Sequence, residues 1–167
     1  MIDKALQRTA KRVLDLCRAA GLHVATAESC TGGLVAAALT DIAGSSDVVD
    51  CGFVTYSNEA KQKLLGVPGA TLTRHGAVSR ETAAAMAKGA LKNSRADLAV
   101  AITGIAGPGG GSKRKPVGLV YFAAANRDGR AIARRRRFGK IGRAKVRSRS
   151  VAEALALLEV LAEKASG

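Results

Sequence analysis

The sequence is poor in aromatic residues and has no long apolar stretch. Phe, Tyr and Trp make up 3% of its 167 residues, and Trp is absent. So few rings leave little surface for stacking single-stranded bases, and no helix-turn-helix, zinc-finger or aromatic RNA-recognition pattern occurs. Apolar stretches such as Gly118–Ala125 fall far short of the roughly 20 residues that span a bilayer. We therefore expect no membrane partner, and we keep nucleic acid only as an alternative partner.

Cysteine and histidine are also scarce. Cys17, Cys30 and Cys51 are an odd number without a C-x-x-C pair, which favours free thiols in a reducing cytoplasm over a disulfide framework. The two histidines, His23 and His75, do not complete a zinc-ligand pattern. The N-terminal segment is interrupted by charges, so we expect no signal peptide. The composition predicts a cytoplasmic protein with no metal and no cofactor.

Acidic residues are few, 13 against 27 Lys and Arg, and the formal net charge is +14. Residues 113–149, called the basic segment here, hold 14 Lys and Arg and one acid, whereas the rest of the chain is nearly neutral. Such a segment could form one basic face around an anionic ligand. On a strand, Arg134–Arg137 would alternate between two faces, so only half of the run could meet any one partner.

The apolar pattern predicts strands that alternate with helices early in the chain and pair as a hairpin late, around Asp128-Gly129. Together with the chain length, this order predicts one domain over residues 1–167, a three-layer α/β/α sandwich with a mixed sheet. The expected helices are 2–20, 31–41, 58–65, 79–93 and 142–164, and the expected strands are 23–27, 48–56, 97–103, 117–125 and 131–138.

Polar or glycine-rich segments follow three of the expected strands: Glu28–Gly33, Tyr56–Lys61 and Thr103–Gly111. Ligands of open α/β sheets bind beyond the carboxyl ends of the strands. If these strands are parallel neighbours, a hydroxyl, a phenol, an amine and a glycine loop share one crevice. The glycine loop could cradle a phosphate, although it matches neither a Rossmann fingerprint nor a P-loop.

Ser29 and Lys61 are candidates for a nucleophile and its base. Ser29 lies at a strand-to-helix junction, where the N–H groups of residues 31–33 could stabilise an oxyanion. Lys61 falls in the first turn of a helix, and both that position and burial would lower its pKa. A neutral lysine can accept a proton from a serine.

These residues also have structural interpretations. Ser29 or Thr31 could simply cap the helix, and Lys61 could lie on the surface. Tyr56 could relay a proton or only pack. Cys30 is a rival nucleophile, but the alternation at a strand end keeps it from facing the same crevice as Ser29, and a small buried residue is its more usual role.

Several motifs, in order along almost the whole chain, resemble the C-terminal domain of the CinA family. Members of this family include nicotinamide mononucleotide deamidases, and the chain looks like the form without the N-terminal domain of longer CinA proteins. The matching segments are Thr26–Gly33, Leu39–Asp41 with Gly44–Ser46, Thr55–Lys61, His75–Ser79, Thr103–Pro108 and Lys115–Gly118.

The resemblance implies metal-independent hydrolysis of the carboxamide of nicotinamide mononucleotide to nicotinate mononucleotide and ammonia, by a homo-oligomer. It makes Ser29 the nucleophile and Lys61 and Tyr56 its activators. The implied substrate contacts are Thr31, Gly32, Gly33, Thr103, Gly104, Gly107, Arg143 and Arg147, the two arginines lying near the phosphate. The family's Gly-Asp-Arg step before the last helix lacks its aspartate here, where the sequence reads Gly142-Arg143.

Two other functions stay open on the sequence alone. The chain could be a polyanion-binding or nucleic-acid-binding module that uses the basic segment, with a vestigial crevice. It could also be a different amidase, or a non-catalytic sensor of pyridine nucleotides on the same fold.

Overall fold

A computed structural model describes residues 3–165, in which one five-stranded sheet lies between two layers of helices. Helices α1, α2 and α6 cover one face, and α3, α4 and α5 lie on the other. The expected α/β/α sandwich is confirmed. The strands are β1 Val24–Glu28, β2 Val49–Val54, β3 Leu98–Gly104, β4 Leu119–Asn126 and β5 Ala131–Arg137; the helices are α1 Lys4–Ala20, α2 Leu34–Thr40, α3 Asn58–Leu65, α4 Gly69–His75, α5 Arg80–Lys92 and α6 Arg143–Ala165.

The strand order in the sheet is β2-β1-β3-β4-β5, and the sheet is mixed as expected. Strand β1 runs parallel to both β2 and β3, whereas β3, β4 and β5 pair antiparallel. The carboxyl ends of β1, β2 and β3 therefore meet at one edge of the sheet. The three polar segments of the sequence leave the sheet at this edge, which is the arrangement that a shared crevice requires.

Local signals in the sequence fix the ends of several helices. Asp3 accepts a hydrogen bond from the Leu6 N–H at the start of α1, and Gly21, with φ of 64°, ends that helix. Ser57 and Ser79 cap α3 and α5 in the same way, by accepting from N–H groups three residues on. The Ser57 cap matters for the site, because it fixes the helix that carries Lys61.

The two faces of the sheet are packed with side chains of different size. Toward α1 and α6, the core contains large residues, among them Leu98, Ile102 and Phe122. Toward α5, the sheet presents a layer of alanines. Helix α5 therefore lies close to the sheet, and at Gly89 it lies so close to α3 that a Cβ atom would collide with the Leu65 carbonyl oxygen. The alanines of this layer are Ala25, Ala27, Ala99, Ala101, Ala123 and Ala125.

The structure differs from the sequence prediction at two helices. Helix α4 occupies a stretch for which the sequence pattern predicts no helix, because Gly69, Thr71 and Thr73 have low helix propensity. Helix α2 begins at Leu34 rather than near residue 31, because Gly32 and Gly33 have φ of 60° and 96° and hold a turn. Residue 2, in the first expected helix, lies outside the described residues.

The helices within residues 3–165 do not include one that combines the length and apolar character needed to cross a bilayer.

Candidate active site

The side chains of Ser29 and Lys61 meet at the carboxyl edge of the sheet. Ser29 follows the last residue of β1, and Lys61 lies in the first turn and a half of α3. The Lys61 Nζ is 3.1 Å from the Ser29 Oγ and donates to the Thr55 carbonyl oxygen at 2.8 Å. The two residues expected to form a nucleophile–base pair are thus within hydrogen-bonding distance.

Lys61 is buried to an extent that is rare for lysine, with 1% of its surface exposed. Burial penalises the ammonium form and lowers the pKa of Lys61. Within residues 3–165, no carboxylate forms an ion pair with it. In the neutral form, one N–H donates to the Thr55 carbonyl, and the nitrogen lone pair is free to accept the Ser29 hydroxyl proton. This arrangement suits a general base.

Glu28, which the sequence analysis did not assign, organises the turn that carries Ser29. Its carboxylate is fully buried and accepts three backbone hydrogen bonds, from the N–H groups of Gly33, Val35 and Ala36 at 2.9–3.0 Å. These are N–H groups at the start of α2, which a helix cannot satisfy internally. An acid at the end of a buried strand, directly before a glycine turn, is the sequence signal that could have found it.

The expected group of oxyanion donors is reduced by these bonds. The Gly33 N–H is taken by Glu28, and the Gly32 N–H donates to the Ser29 carbonyl oxygen at 3.0 Å. Of the three N–H groups at residues 31–33, only that of Thr31 has no acceptor within the described part of the chain. Thr31 follows Ser29 by two residues, so its N–H is a donor still available beside the proposed nucleophile.

Arg143 and Arg147, both on α6, reach across to the same edge of the sheet. Arg147 donates to the carbonyl oxygens of Cys30 at 3.2 Å and Thr31 at 2.9 Å, and so holds the turn after Ser29. Arg143 donates to the Tyr56 hydroxyl at 2.8 Å and to the Gly107 carbonyl at 2.9 Å. The two guanidinium groups therefore bring positive charge to the site and also connect its segments.

The other expected contact residues differ in how accessible they are. Thr103 is buried and its hydroxyl donates to the Ala77 carbonyl at 2.7 Å, so this side chain holds neighbouring chain in place. Gly104 and Gly107 lie where a Cβ atom would collide with Val120 and Val117. Tyr56, in contrast, is 61% exposed. The phenol is open to a ligand, whereas the threonine hydroxyl is already engaged.

Cys30 does not compete with Ser29 as a nucleophile in this structure. The side chain is buried, and burial raises the pKa of its thiol to about 11, so the thiolate is scarce near neutral pH. Between residues 3 and 165 there is no cluster of three or more His, Cys, Asp or Glu side chains suited to a metal ion.

The fold and the site together define a class of protein: three-layer α/β domains that carry a buried lysine beside a serine at the carboxyl ends of parallel strands. Within that class, the chain belongs to the CinA C-terminal domain family, whose sequence profile matches residues 6–162. The family expected from the sequence motifs is thereby confirmed.

Several relatives are similar over nearly their whole length. The chain is 52% identical to a nicotinamide-nucleotide amidohydrolase, PncC, of Escherichia coli strain K12, over 95% of both chains. The fold matches the crystal structure of competence/damage inducible protein CihA from Agrobacterium tumefaciens with a TM-score of 0.95 and 55% identity, covering 96% of this chain and 98% of that one. A CinA superfamily protein from Klebsiella pneumoniae matches with a TM-score of 0.90 and 39% identity, over 95% and 98% of the two chains.

Proposed function

We propose that this protein hydrolyses the carboxamide of nicotinamide mononucleotide to nicotinate mononucleotide and ammonia. The observation that carries the proposal is the 3.1 Å separation of the Lys61 Nζ and the Ser29 Oγ in a buried setting. The similarity to nicotinamide-nucleotide amidohydrolases of 52% identity over 95% of the chain supports the choice of substrate.

In the proposed reaction, the Ser29 Oγ attacks the carboxamide carbon while its proton passes to the neutral Lys61 amine. The Thr31 N–H donates to the oxyanion of the tetrahedral intermediate. Lys61, now an ammonium, returns the proton to the departing nitrogen, and the carbon–nitrogen bond breaks. Ammonia departs, and the acyl group remains bound to Ser29 as an ester. A water molecule that loses its proton to Lys61 then attacks the ester, and the proton returns to the Ser29 oxygen as the acid is released.

The 5′-phosphate of the substrate is assigned to the Arg143 side of the site. Each arginine there uses two N–H groups on the protein and has others left, since a guanidinium carries five. Charge-assisted hydrogen bonds from such groups hold phosphate well. The Tyr56 hydroxyl accepts from Arg143, so its own proton points away from the guanidinium and can donate to the substrate or its intermediate.

The test is ammonia release from nicotinamide mononucleotide by purified protein with EDTA present. We expect Ser29→Ala to lower kcat by at least about a thousandfold, as loss of a nucleophile does. Cys30→Ala is the matched control, a neighbouring side chain of similar size, and we expect it to keep kcat within several-fold. A Ser29→Ala protein with nearly full kcat would refute the nucleophile, and a wild-type protein that binds the nucleotide without releasing ammonia would indicate a sensor.

We also propose that the protein acts as a homo-oligomer in the cytoplasm. Strand β2 is an outer strand of the sheet, and three large apolar or aromatic side chains near it are exposed: Val54, Tyr56 and Leu64. Exposed apolar groups beside an unpaired outer strand favour an interface between copies. The three cysteines are free thiols, which suits a reducing compartment. Light scattering coupled to size-exclusion chromatography tests the assembly, and a monomer at micromolar concentration would contradict it.

A further inference from the structure

The four arginines at the end of β5 point to opposite faces of the sheet and have different surroundings. Arg134 and Arg136 lie on the α6 side, where both reach the carboxylate of Glu153. Arg135 pairs in register with Tyr121 and faces the α5 side. Within residues 3–165, the side chain of Arg135 has no acidic partner and no hydrogen-bond partner. The single carboxylate of Glu153 therefore compensates part of the charge on one face of the run, and no acid of the described chain compensates Arg135 on the other.

A cavity of about 230 Å³ lies over this uncompensated face. Its lining contains three arginines and a half-buried tyrosine, and no acidic residue. Arg80, the first residue of α5, contributes a second guanidinium without a described partner. The guanidinium of Arg134 is engaged with Glu153 on the other face, so Arg80 and Arg135 supply the free positive charge of the cavity. Two guanidinium groups raise the local concentration of anions, and their planar forks match the oxygens of a phosphate. The lining residues are Arg80, Tyr121, Ala133, Arg134 and Arg135.

A second cavity, of about 190 Å³, adjoins the first and shares Arg80 and Ala133 with it. Its walls are mainly alanines of α5, β4 and β5, with Lys88 on one side. The two cavities together form a groove with a cationic end and a smooth apolar floor. A ligand that fits both ends has a phosphate joined to a flat, largely apolar ring. The lining fits the general character of small-molecule sites, which are mostly apolar with a few polar groups that fix orientation.

This groove is separate from the catalytic serine. Ser29, Thr103, Tyr121 and Arg135 follow one another in a row across the sheet on the α5 side. At roughly 4.8 Å per strand, Arg135 is about 15 Å from Ser29. Between them, Thr103 is buried and bonded to the Ala77 carbonyl, so the chain leading into α5 covers the middle of the row.

We propose that the groove between α5 and β5 is a second binding site, for a mononucleotide. The phosphate binds Arg80 and Arg135, and the base lies on the alanine floor. This site is independent of the proposed deamidation, because it shares no residue with the Ser29–Lys61 pair or with Arg143 and Arg147.

The experiment is calorimetric titration of the full protein with adenosine 5′-monophosphate, which has no carboxamide to hydrolyse. We expect saturable binding that Arg135→Gln weakens by about tenfold or more, because one charge-assisted contact to the phosphate is lost. Arg136→Gln is the matched control, since it makes the same change one residue away on the opposite face. It should leave the affinity within about twofold, and both variants should keep the deamidation rate of the wild type.

Other outcomes would overturn the proposal. Equal loss of affinity in Arg135→Gln and Arg136→Gln, or a higher affinity for a single-stranded oligonucleotide that depends on both, would indicate a polyanion surface instead of a mononucleotide groove. If adenosine binds as tightly as adenosine 5′-monophosphate, the arginines do not contribute to binding. If inorganic phosphate binds as tightly as adenosine 5′-monophosphate, the apolar floor does not contribute. Binding that is lost in Arg143→Ala but kept in Arg135→Gln would place the nucleotide in the catalytic crevice.

Discussion

The burial of Lys61 has a cost to folding that its proposed role as a base would explain. For a lysine with 1% exposure and no carboxylate partner in the described chain, the charged ammonium form is unfavourable in free energy. The fold bears this cost, and the lowered pKa makes the amine lose its proton more readily than an exposed lysine does. The carbonyl of Thr55 holds one N–H of the amine, so the lone pair has a defined direction toward Ser29.

The same burial predicts a pH-dependent contribution to stability. Because the pKa of Lys61 is lowered in the folded state, the unfolded chain binds more protons between that lowered pKa and about 10.4. The contribution of Lys61 to the free energy of unfolding therefore rises with pH across this window and is least favourable below it. We expect the stability of wild type relative to Lys61→Met to increase from pH 7 toward pH 10, as measured by urea unfolding.

Lys63→Met is the control for this measurement, because Lys63 is exposed on the same helix. The difference in free energy of unfolding between Lys63→Met and wild type should change little over the same pH range. A Lys61→Met difference that is flat with pH, or that falls as pH rises, would contradict a neutral buried amine.

At the residue scale, sequence reasoning predicted that Ser29 and Lys61 would lie together, which the structure shows, and missed the carboxylate that supports them. Ser29 and Lys61 could be predicted because both follow strands that are parallel neighbours, and because their motifs resemble a known family. Glu28 could not be recognised as readily, since its partners are backbone N–H groups and its only signal in the sequence is its place between a buried strand and a glycine turn. The same carboxylate takes the Gly33 N–H, and the Ser29 carbonyl oxygen takes that of Gly32, so fewer oxyanion donors remain.

At the scale of elements, the position of α3 decides whether Lys61 reaches Ser29. Helix α3 packs against α5 at Gly89, where the missing side chain lets the Leu65 carbonyl come close. Glycine inside a helix usually costs about 1 kcal/mol relative to alanine. Here the close approach of two helices depends on it, which is why an alanine-rich helix contains a glycine at this position.

We expect Gly89→Ala to destabilise the protein, although it raises helix propensity. The added methyl group would force α3 and α5 apart, and overpacking of this kind costs about 1–3 kcal/mol. The displaced α3 would carry Lys61 away from Ser29, so kcat should fall more than the folded fraction does. Denaturant unfolding and ammonia release measure the two effects. Lys88→Ala, an exposed change on the same helix, should alter neither, and an active Gly89→Ala protein of normal stability would contradict the argument.

Element order was more predictable than element boundaries. All five strands and the mixed sheet follow from alternation of apolar runs and from the Asp-Gly hairpin turn. Helix α4 has no such signal, since its threonines and glycine are poor helix formers and its stability comes from packing against α5. Tertiary contacts thus decide the elements whose local preferences are weak.

At the scale of the whole molecule, the arginines of the basic segment point to several different surroundings instead of forming one face. Arg143 and Arg147 serve the crevice, Arg134 and Arg136 pair with Glu153, and Arg135 faces the groove. The alternation of the arginines on a strand could be predicted from the sequence. The neutralising acid could not, because Glu153 lies on a different element and only the packing of α6 brings it there.

The net charge of +14 predicts a response of stability to salt. Like charges on the folded chain repel one another, and salt screens this repulsion. Exposed ion pairs weaken in salt as well, but each is worth only about 0–1 kcal/mol. We expect Tm to rise between about 0.05 M and about 0.5 M NaCl, as followed by circular dichroism. The double variant Lys113→Glu/Arg149→Glu should show a smaller rise, and a Tm that falls with salt would contradict the prediction.

The cores on the two sides of the sheet differ in side-chain size, so opposite kinds of substitution destabilise the protein on each side. On the α6 side, replacing a leucine or phenylalanine by a smaller residue leaves a cavity, and the lost packing contacts destabilise the protein. On the α5 side, the sheet itself presents mainly alanines, and replacing one of them by a larger residue is the main hazard there. Because Lys61, the proposed base, lies on the side lined by alanines, substitution of bulkier residues there would lower turnover before it unfolded the protein.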